Sequence, residues 1–378
     1  MAISMLIGAT AALAWCVVLL LPSRPYLTRE RLNVAGSVDR DLSHVTVLVP
    51  ARDEAATIDS TISGLARQGH NLTVNLVDDQ SVDGTAQRAL DQAAGRAPWL
   101  HLNVYRGSEL PVGWGGKLWA LQQAFTDVES EWVLLIDADI ELAPGTVSAL
   151  LDQAAVTGSD LVSVMADLRC RSAWERLLVP PFIYFFKLLY PFARVADARS
   201  TVAAAAGGCV LVRTKMLRAI GAFSSFSDAL IDDCTLARKV KQQGGRLWLG
   251  LCHAVISNRR YDSYAEFATM VVRTAFTQLR YSSLLLLLVS LLMVLVFFGP
   301  FVALIGVSGI PGVAIFGLGV GAMSLAYWPV LRWYRRPLVA AAALPLAAAL
   351  YLAMTWQSAI RFWAGTRASW KGRNYVSG

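Results

Sequence analysis

The chain has 378 residues, enough for one large domain or two modest ones, and 55% of them are hydrophobic, more than an ordinary soluble protein contains. The formal net charge of +7 does not require a nucleic-acid partner, because much of the basic surplus lies beside apolar segments, where Lys and Arg face anionic lipid head groups. The five cysteines form no C-x-x-C pair and indicate neither a disulfide framework nor a zinc site.

Long uncharged runs predict an integral membrane protein with a soluble middle. Met1–Ser23, Tyr281–Leu331 and Leu338–Ile360 contain no charged residue, and the second run is long enough to cross a ~30 Å hydrocarbon core twice. We predict an N-terminal transmembrane anchor at 1–23 and a C-terminal transmembrane region at 282–360. A cleaved signal peptide is the alternative for the first run, but no basic region precedes it and no clear small-x-small site precedes Arg24.

Basic residues predict the orientation. Arginines closely follow the first run: Arg24, Arg29, Arg31 and Arg40. The positive-inside rule therefore puts the soluble middle in the cytoplasm, together with the basic loop Arg332–Arg336, if Tyr281–Leu331 goes out and back. The basic tail at 361–378 also belongs inside, yet one further full crossing would place it outside. A break at Pro345 would make Leu338–Ile360 a re-entrant hairpin, which would keep the basic tail inside.

The soluble middle alternates predicted strands and helices. The predicted strands are His44–Pro50, Leu72–Val77, His101–Tyr105 and Trp132–Ile136, with helices that end near Gln68, begin at Ala86 and follow Gly113–Lys117. This alternation predicts an α/β domain with a mostly parallel sheet, which we place at 42–260, followed by a membrane-proximal segment at 261–281. Ligands of such sheets bind beyond the carboxyl ends of the strands.

Acidic residues follow three of these strands: Asp53 and Glu54, Asp78 and Asp79, and Asp137 and Asp139. Side chains two apart on an extended chain point the same way, so Asp137 and Asp139 can share one hard cation that also binds a diphosphate. A solvated acidic turn before a helix is the alternative, because Pro144 and Gly145 follow. The recurrence of acids at strand ends favours a ligand site.

Phosphate-binding loops of the G-x-x-x-x-G-K-[ST] and G-x-G-x-x-G kinds are absent from the sequence. A metal held by carboxylates remains as the means of neutralising a nucleotide diphosphate. Lys117 adds a positive charge for that purpose, or is simply a solvated lysine at a helix start.

The rest of the soluble region is less regular. The aromatic-rich stretch 177–192 contains two prolines and is too short to span; it predicts either an interfacial membrane segment or a buried core helix. Ala203–Val212, with Gly207 and Gly208, predicts a strand whose backbone approaches something closely. Asp232 and Asp233 open a helix that continues to Gln243. They either complement its dipole or supply the proton acceptor for a substrate hydroxyl.

These motifs resemble a known family. Pro50–Glu54 (PARDE), Val77–Thr85 (VDDQSVDGT), Asp137–Asp139 (DAD) and Asp232–Asp233 are similar, in the expected order, to the signatures of family 2 inverting glycosyltransferases with the GT-A fold. More narrowly, the aromatic-rich stretch and three further motifs resemble the hopene-associated glycosyltransferases found with bacterial hopanoid genes: Ala206–Cys209, Ile231–Cys234 and Thr277–Ser282. Relatives similar to ceramide glucosyltransferase and carotenoid-modifying enzymes share much of this narrower pattern.

The resemblance implies a role for each matching residue. Donor nucleotide binding falls to Asp53, Glu54, Asp78, Asp79, Lys117 and Asp137. Asp137 and Asp139 are expected to bind Mn²⁺ or Mg²⁺ on the donor diphosphate, with Glu141 as a further candidate ligand. Asp233 is the expected general base, with Asp232 as the other candidate.

The resemblance also assigns residues near the membrane. Gln278, Arg280 and Tyr281 stand where relatives carry a Q-x-x-R-W motif for the diphosphate or acceptor, although the spacing here is one residue shorter and Tyr replaces Trp. Trp370–Arg373 resembles a tail that related enzymes carry on the cytoplasmic side.

The implied function is inverting transfer of a sugar from a nucleotide-sugar donor, a UDP-sugar by expectation, to a hopanoid or other polyisoprenoid lipid in the bacterial cytoplasmic membrane. Three alternatives remain open. A processive polysaccharide synthase of the same fold would need a translocation channel and the full Q-x-x-R-W motif. A catalytically silent scaffold and a nucleotidyltransferase on a similar sheet are the others.

Overall fold

The computed structural model describes residues 1–34, 39–94, 100–365, 369–371 and 373–374, with backbone alone for 369, 370, 373 and 374. The chain divides into two compact units. The first comprises Met1–Arg29, Cys170–Pro191 and Tyr261–Thr366, and the second comprises Glu30–Arg169, Phe192–Arg260 and Arg367–Gly378.

The strands of the described residues are β1 (Val45–Ala51), β2 (Leu72–Asp78), β3 (Leu100–Arg106), β4 (Trp132–Ile136), β5 (Ile140–Leu142), β6 (Leu161–Leu168), β7 (Cys209–Arg213), β8 (Leu247–Ser257), β9 (Ser369–Trp370) and β10 (Arg373–Asn374).

The helices are α1 (Ala2–Leu20), α2 (Ile58–Leu65), α3 (Thr85–Ala94), α4 (Gly116–Phe125), α5 (Thr146–Thr157), α6 (Ala173–Leu189), α7 (Phe192–Ala196), α8 (Thr214–Ala219), α9 (Asp232–Gln242), α10 (Tyr264–Gln278), α11 (Ser283–Gly306), α12 (Ile310–Trp333) and α13 (Leu344–Trp363), with 3₁₀ segments at Phe223–Phe226 and Leu338–Ala343.

A sheet in the order β3-β2-β1-β4-β7-β6-β8-β5 forms the core of the second unit. The pairs of β1 with β2 and β4, of β2 with β3, and of β6 with β8 are parallel, whereas β7 runs antiparallel between β4 and β6, and β5 antiparallel along β8. Every residue of β1 and β4 is buried, as expected for apolar strands covered on both faces. The predicted α/β class with a mostly parallel sheet is confirmed.

The predicted strand Ala203–Val212 is wrong in its first half. The strand β7 begins only at Cys209, and Ala203–Gly208 stays outside the sheet. The reason lies in Gly207: a Cβ atom there would lie 3.2 Å from Oδ2 of Asp233 and 3.5 Å from Nζ of Lys117. The backbone at Gly207 thus faces other side chains instead of a neighbouring strand.

The first unit is helical and apolar. Four of its described segments are long and apolar enough to cross a membrane: Ala2–Leu20, Ser283–Gly306, Ile310–Trp333 and Leu338–Trp363. The aromatic-rich stretch belongs to this unit as α6, where Leu178, Ile183 and Tyr184 are buried and the Leu178 carbonyl accepts a 2.9 Å hydrogen bond from the Tyr351 hydroxyl.

Small residues bring α1 against α11. A Cβ atom added to Gly299 would lie 2.6 Å from Cβ of Ala11, so a larger residue there would force the helices apart. One turn further on, the indole of Trp15 donates to the Val296 carbonyl (2.9 Å) and meets the Phe297 ring edge-on at 5.2 Å. The helix α1 therefore packs closely against α11.

The last apolar segment changes its helix type near its start. Leu338–Ala343 is a 3₁₀ helix, and α13 then continues without a break to Trp363. Pro345 lies in the first turn of α13, where a proline removes no helical hydrogen bond. Twenty residues make α13 about 30 Å long.

Candidate active site

Lys117 lies between two acidic residues that are distant in sequence. Its Nζ is 2.8 Å from Oδ1 of Asp137, directly after β4, and 3.0 Å from Oδ2 of Asp232, the first residue of α9. Lys117 occupies the first turn of α4. Two hydrogen bonds tie the loop before α4 to the loop before α9: Gly115 N donates to the Ser227 carbonyl (2.7 Å), and the Ser227 hydroxyl donates to the Gly113 carbonyl (3.1 Å).

The cluster is electrostatically tight. Burial alone would lower the pKa of Lys117, but Asp137 and Asp232 together raise it above its ordinary value, so the ammonium is charged. Burial raises the pKa of Asp137, the Lys117 charge opposes the rise, and the neighbouring charge of Asp139 adds to it. A further positive charge beside Asp137 and Asp139 would therefore be favourable.

Asp233 differs from its neighbour. Burial, followed by the negative charge of Asp232, raises the pKa of Asp233 to about 7, although Lys117 and backbone hydrogen bonds from Cys234 and Gly207 act in the opposite direction. The Cys234 amide donates to Oδ1 at 2.7 Å. A carboxylate with a pKa near neutral can take a proton from a hydroxyl at physiological pH. Asp232 instead pairs directly with Lys117, so the geometry assigns the two acids different surroundings.

A small cleft adjoins these groups. Its lining combines the polar cluster with apolar side chains: Lys117, Asp137, Asp232, Asp233, Phe223 and Phe226. Ligand sites commonly join an apolar wall to a few converging polar groups.

Asp139 is held beside the end of β8. The Ser257 hydroxyl donates to its Oδ2 at 3.0 Å, and the Asn258 amide donates to its backbone carbonyl at 2.8 Å. Glu141 is the further candidate ligand. Its Oε1 is 2.9 Å from Nη2 of Arg67, and its Oε2 is 3.5 Å from Nδ2 of Asn258. Its carboxylate is thereby engaged on the surface of β5.

The candidate ligands for a divalent cation are Asp137 and Asp139. In the part of the chain that the structure describes, no three His, Cys, Asp or Glu side chains cluster as a complete metal site. Two carboxylates nevertheless fit Mg²⁺ or Mn²⁺ when a substrate diphosphate and water supply the other oxygens. The mutual repulsion of Asp137 and Asp139 is what such a cation would relieve.

The loops that follow β1 and β2 lie together. Oδ1 of Asp53 accepts from the Val82 amide at 2.9 Å, and the Asp53 amide donates to the Ser81 hydroxyl at 2.9 Å. Oδ1 of Asp78 also accepts from the Ser81 amide, at 3.2 Å. The two loops therefore form one polar surface at the carboxyl ends of the strands.

A buried aspartate, Asp79, lies next to this surface. Asp79 is 1% exposed, and its Oδ2 is 3.6 Å from the Arg52 guanidinium, which also donates to the Asp79 carbonyl. The amide of Glu54 donates to the Thr85 hydroxyl at 2.9 Å.

Sequence reasoning gave no site role to two basic residues here. Nζ of Lys371 is 2.9 Å from Oε1 of Glu54, and Nη2 of Arg259 is 3.9 Å from the same oxygen. A basic residue just after β8 was a usable signal for Arg259, because the carboxyl ends of parallel strands share one edge of the sheet. No local pattern links Lys371 to Glu54.

The three remaining candidates lie in the first unit. Gln278 ends α10 and accepts a 2.6 Å hydrogen bond from the Tyr190 hydroxyl. Arg280 and Tyr281 follow with positive φ angles of 52° and 56°, and the Tyr281 ring stacks on Phe362 at 4.5 Å. Of the tail motif Trp370–Arg373, Gly372 and the side chains of Trp370 and Arg373 lie outside the described residues.

Residues 43–276 match the family described as Glycosyltransferase like family 2. No curated protein sequence matches the chain. Among solved structures, the chain is similar to the mannosyltransferase PcManGT from Pyrobaculum calidifontis in complex with GDP-Man and Mn²⁺, at 20% identity and a TM-score of 0.53, over 91% of this chain and 99% of that one.

Two further solved structures show weaker similarity. TarS 1–349 of S. aureus in complex with UDP-GlcNAc has 14% identity and a TM-score of 0.41, over 88% of this chain and 99% of that one. Glucosyl-3-phosphoglycerate synthase from Mycobacterium tuberculosis with Mg²⁺ and UDP has 18% identity and a TM-score of 0.39, over 62% of this chain and 78% of that one. The similarity to PcManGT supports a shared GT-A-like fold.

Proposed function

Because the chain belongs to glycosyltransferase family 2, we propose that it is a membrane-bound inverting enzyme that moves a sugar from a nucleotide-sugar donor to a lipid acceptor. The observation that carries this proposal is the convergence of Lys117, Asp137 and Asp232, with Asp233 beside them, at the carboxyl edge of the sheet.

The donor lies along that edge in our proposal. Asp53, Glu54, Asp78 and Asp79 receive the nucleoside, and Lys117 and Asp137 lie at the diphosphate. A divalent cation on Asp137 and Asp139 would offset the charge that develops on the leaving nucleoside diphosphate. Lys117, held charged by its two acidic neighbours, adds to the same stabilisation.

The acceptor hydroxyl loses its proton to Asp233. As the hydroxyl oxygen bonds to the anomeric carbon, the bond from that carbon to the diphosphate oxygen breaks on the opposite face, so the configuration inverts. The Cys234 amide and the Gly207 backbone hold the Asp233 carboxylate in place during this transfer.

A lipid acceptor suits the order of segments along the chain. The catalytic domain is preceded by one segment long and apolar enough to span a membrane and is followed by three. Such an enzyme stays beside an acceptor that cannot leave the bilayer. We propose a hopanoid or other polyisoprenoid, on the support of the Ala206–Cys209, Ile231–Cys234 and Thr277–Ser282 motifs, and a UDP-sugar as donor, in the bacterial cytoplasmic membrane with the catalytic domain inside.

The test is release of nucleoside diphosphate by the detergent-purified protein, over a panel of UDP- and GDP-sugars, with Mn²⁺ or EDTA and with or without hopanoid lipid extract. We expect release that requires both metal and lipid and that is lost in Asp233→Asn. The matched control is Asp127→Asn, a change at an exposed aspartate, which should leave the rate unchanged.

Other outcomes separate the alternatives. Release without lipid, accompanied by a growing polysaccharide, would replace this proposal with a processive synthase. No release from any sugar nucleotide by the folded protein would leave the scaffold, and label incorporated from the nucleotide's α-phosphate would indicate a nucleotidyltransferase.

A further inference from the structure

A short hairpin near the end of the chain contacts the loop after β1. The strands β9 and β10 pair antiparallel, with Trp370 opposite Arg373, and Lys371 lies in the turn between them. Nζ of Lys371 is 2.9 Å from Oε1 of Glu54 and donates to the Asp53 carbonyl at 3.1 Å. The Lys371 carbonyl in turn accepts from Nε of Arg52 at 2.9 Å. One residue of the tail therefore engages three consecutive residues that are more than 300 positions away.

The contacted loop is in an unusual conformation. Asp53 has a φ of +50°, a left-handed value that costs a non-glycine residue free energy unless its surroundings hold it there. The Ser81 hydroxyl and the Val82 amide hold Asp53 from the side of β2. Lys371 donates to the Asp53 carbonyl, so the contacts of this residue come from both the β2 loop and the tail.

The ion pair between Lys371 and Glu54 is largely shielded from water. The side chains of Glu54 and Lys371 are 16% and 24% exposed, so their ion pair is better shielded from water than a typical surface pair. Arg52 completes the arrangement, because its guanidinium binds Asp79 while its Nε donates to the hairpin. Lys371 thus fixes both the acid at 54 and the cation that holds the buried acid at 79.

We propose that Lys371 is a positioning residue of the donor site, which holds the Arg52–Glu54 loop in the shape that receives the donor's nucleoside. This inference rests on the proposed function and deepens it. Lys371 acts through Asp53 and Glu54. Its loss therefore weakens binding of the nucleotide and leaves the chemistry at Asp233 unaffected.

The experiment measures binding of UDP and GDP in the absence of lipid, then donor KM and kcat, for the full-length protein and three variants. We expect Lys371→Ala to raise the Kd of the nucleotide and the donor KM about tenfold, equal to about 1.4 kcal/mol, with kcat within about twofold. Lys371→Arg should restore most of the affinity, because it keeps the charge. Lys215→Ala, at an exposed lysine on α8, is the matched control and should bind as the unchanged protein does.

A double variant tests the route of the effect. If Lys371 acts through Glu54, Glu54→Gln combined with Lys371→Ala should bind no more weakly than Glu54→Gln alone. Hydrogen exchange gives a readout apart from activity, since the peptide containing Arg52–Glu54 should exchange faster in Lys371→Ala. If that variant melts early, Lys371→Met, which keeps the bulk of the side chain, replaces it.

The outcomes distinguish this inference from the proposed function. Failure of the unchanged protein to bind any nucleoside diphosphate would contradict the proposed function itself. Normal binding by the unchanged protein and by Lys371→Ala alike would overturn the role of Lys371 alone. A fall in kcat with an unchanged KM would also overturn it, because a positioning role for the nucleoside predicts the reverse.

Discussion

Asp233 carries the clearest chemical prediction among the single residues. Its pKa of about 7 means that the carboxyl is largely protonated below neutral pH and ionised above it. Since a general base works only when ionised, kcat/KM should rise about tenfold per pH unit on the acid side and level off above about pH 7. The measurement is a pH–rate profile with saturating metal. A profile that is flat from pH 5 to 8 would contradict the assignment.

Replacing the same carboxyl separates catalysis from stability. Asp233→Asn should lower kcat by about 10²–10⁴-fold, the range that a positioned base contributes, with nucleotide binding retained. Because folding raises the pKa of Asp233 from 3.8 to about 7, ionisation of this residue costs the folded state stability as pH rises through that interval. The variant should therefore melt above the unchanged protein at pH 8 and not at pH 4, as thermal unfolding would show. The same measurements on Asp232→Asn show which of the two acids is the base.

Lys117 should matter for folding as well as for the donor. Lys117→Met would leave Asp137 and Asp232 without their cation, and breaking a well-shielded ion pair in this way costs about 3 kcal/mol. The side chain is 16% exposed, so the lower end of the usual range applies. We expect a melting temperature several degrees lower in Lys117→Met, with Lys215→Ala as control. An unchanged melting temperature would mean that water already screens the cluster.

The segment that leads into β7 is the element on which the position of Asp233, the proposed base, depends. The Asp137 amide donates to the Gly208 carbonyl at 3.4 Å, which brings Gly207 beside Asp233 at the start of the strand. The close approach explains why a glycine stands at 207. Its φ is not in the left-handed region, so the need is for space and not for backbone freedom.

Gly207→Ala tests that explanation. The new Cβ, 3.2 Å from Oδ2 of Asp233, should displace the carboxylate and lower kcat about tenfold while the sheet stays folded. Gly317→Ala is the matched control, because a Cβ atom there meets nothing within 4 Å. Steady-state kinetics and circular dichroism of both variants are the measurements. Full activity in Gly207→Ala would show that the site tolerates the shift.

One contact in the tail leads to a prediction of the membrane topology. Lys371 bonds to the Arg52–Glu54 loop, so we predict that the tail and the domain that contains this loop lie on the same side of the bilayer. In that arrangement the chain between Arg260 and Lys371 would cross the membrane an even number of times, although three of its segments are long enough to cross. With the basic loop Arg332–Arg336 inside, we predict that α11 and α12 make the two crossings and that Leu338–Trp363, although α13 is unbroken, does not make a third.

Reporter fusions test this topology. A fluorescent protein fused after Gly378 should fluoresce, and alkaline phosphatase fused there should be inactive, because we predict that the tail is cytoplasmic. Fusions between α11 and α12, at Ser308, should give the opposite pattern. An active phosphatase after Gly378 would mean that the last segment crosses completely and that the Lys371 contact does not form in the membrane.

Local patterns in the sequence determined the class of the domain and the place of its acids. Uninterrupted Val-, Leu- and Ile-rich runs bury both faces of β1 and β4, and acids directly after them must lie at the carboxyl edge of a parallel sheet. The long apolar segments are equally local, since length and hydropathy alone define them. These properties depend on neighbours in the chain and are readable without coordinates.

Tertiary structure alone decided which charges meet. The order of the sheet places β7 next to β4, which brings Gly207 to Asp233 and leaves Ala203–Gly208 outside the strand. Glu141 pairs with Arg67, and Glu54 with Lys371, across long stretches of chain. Ion pairs of this kind have no sequence period, because they depend on how distant loops fold onto one edge of the sheet. Asp232 and Asp233 are adjacent in sequence but have different partners. This difference also depends on how distant loops fold together.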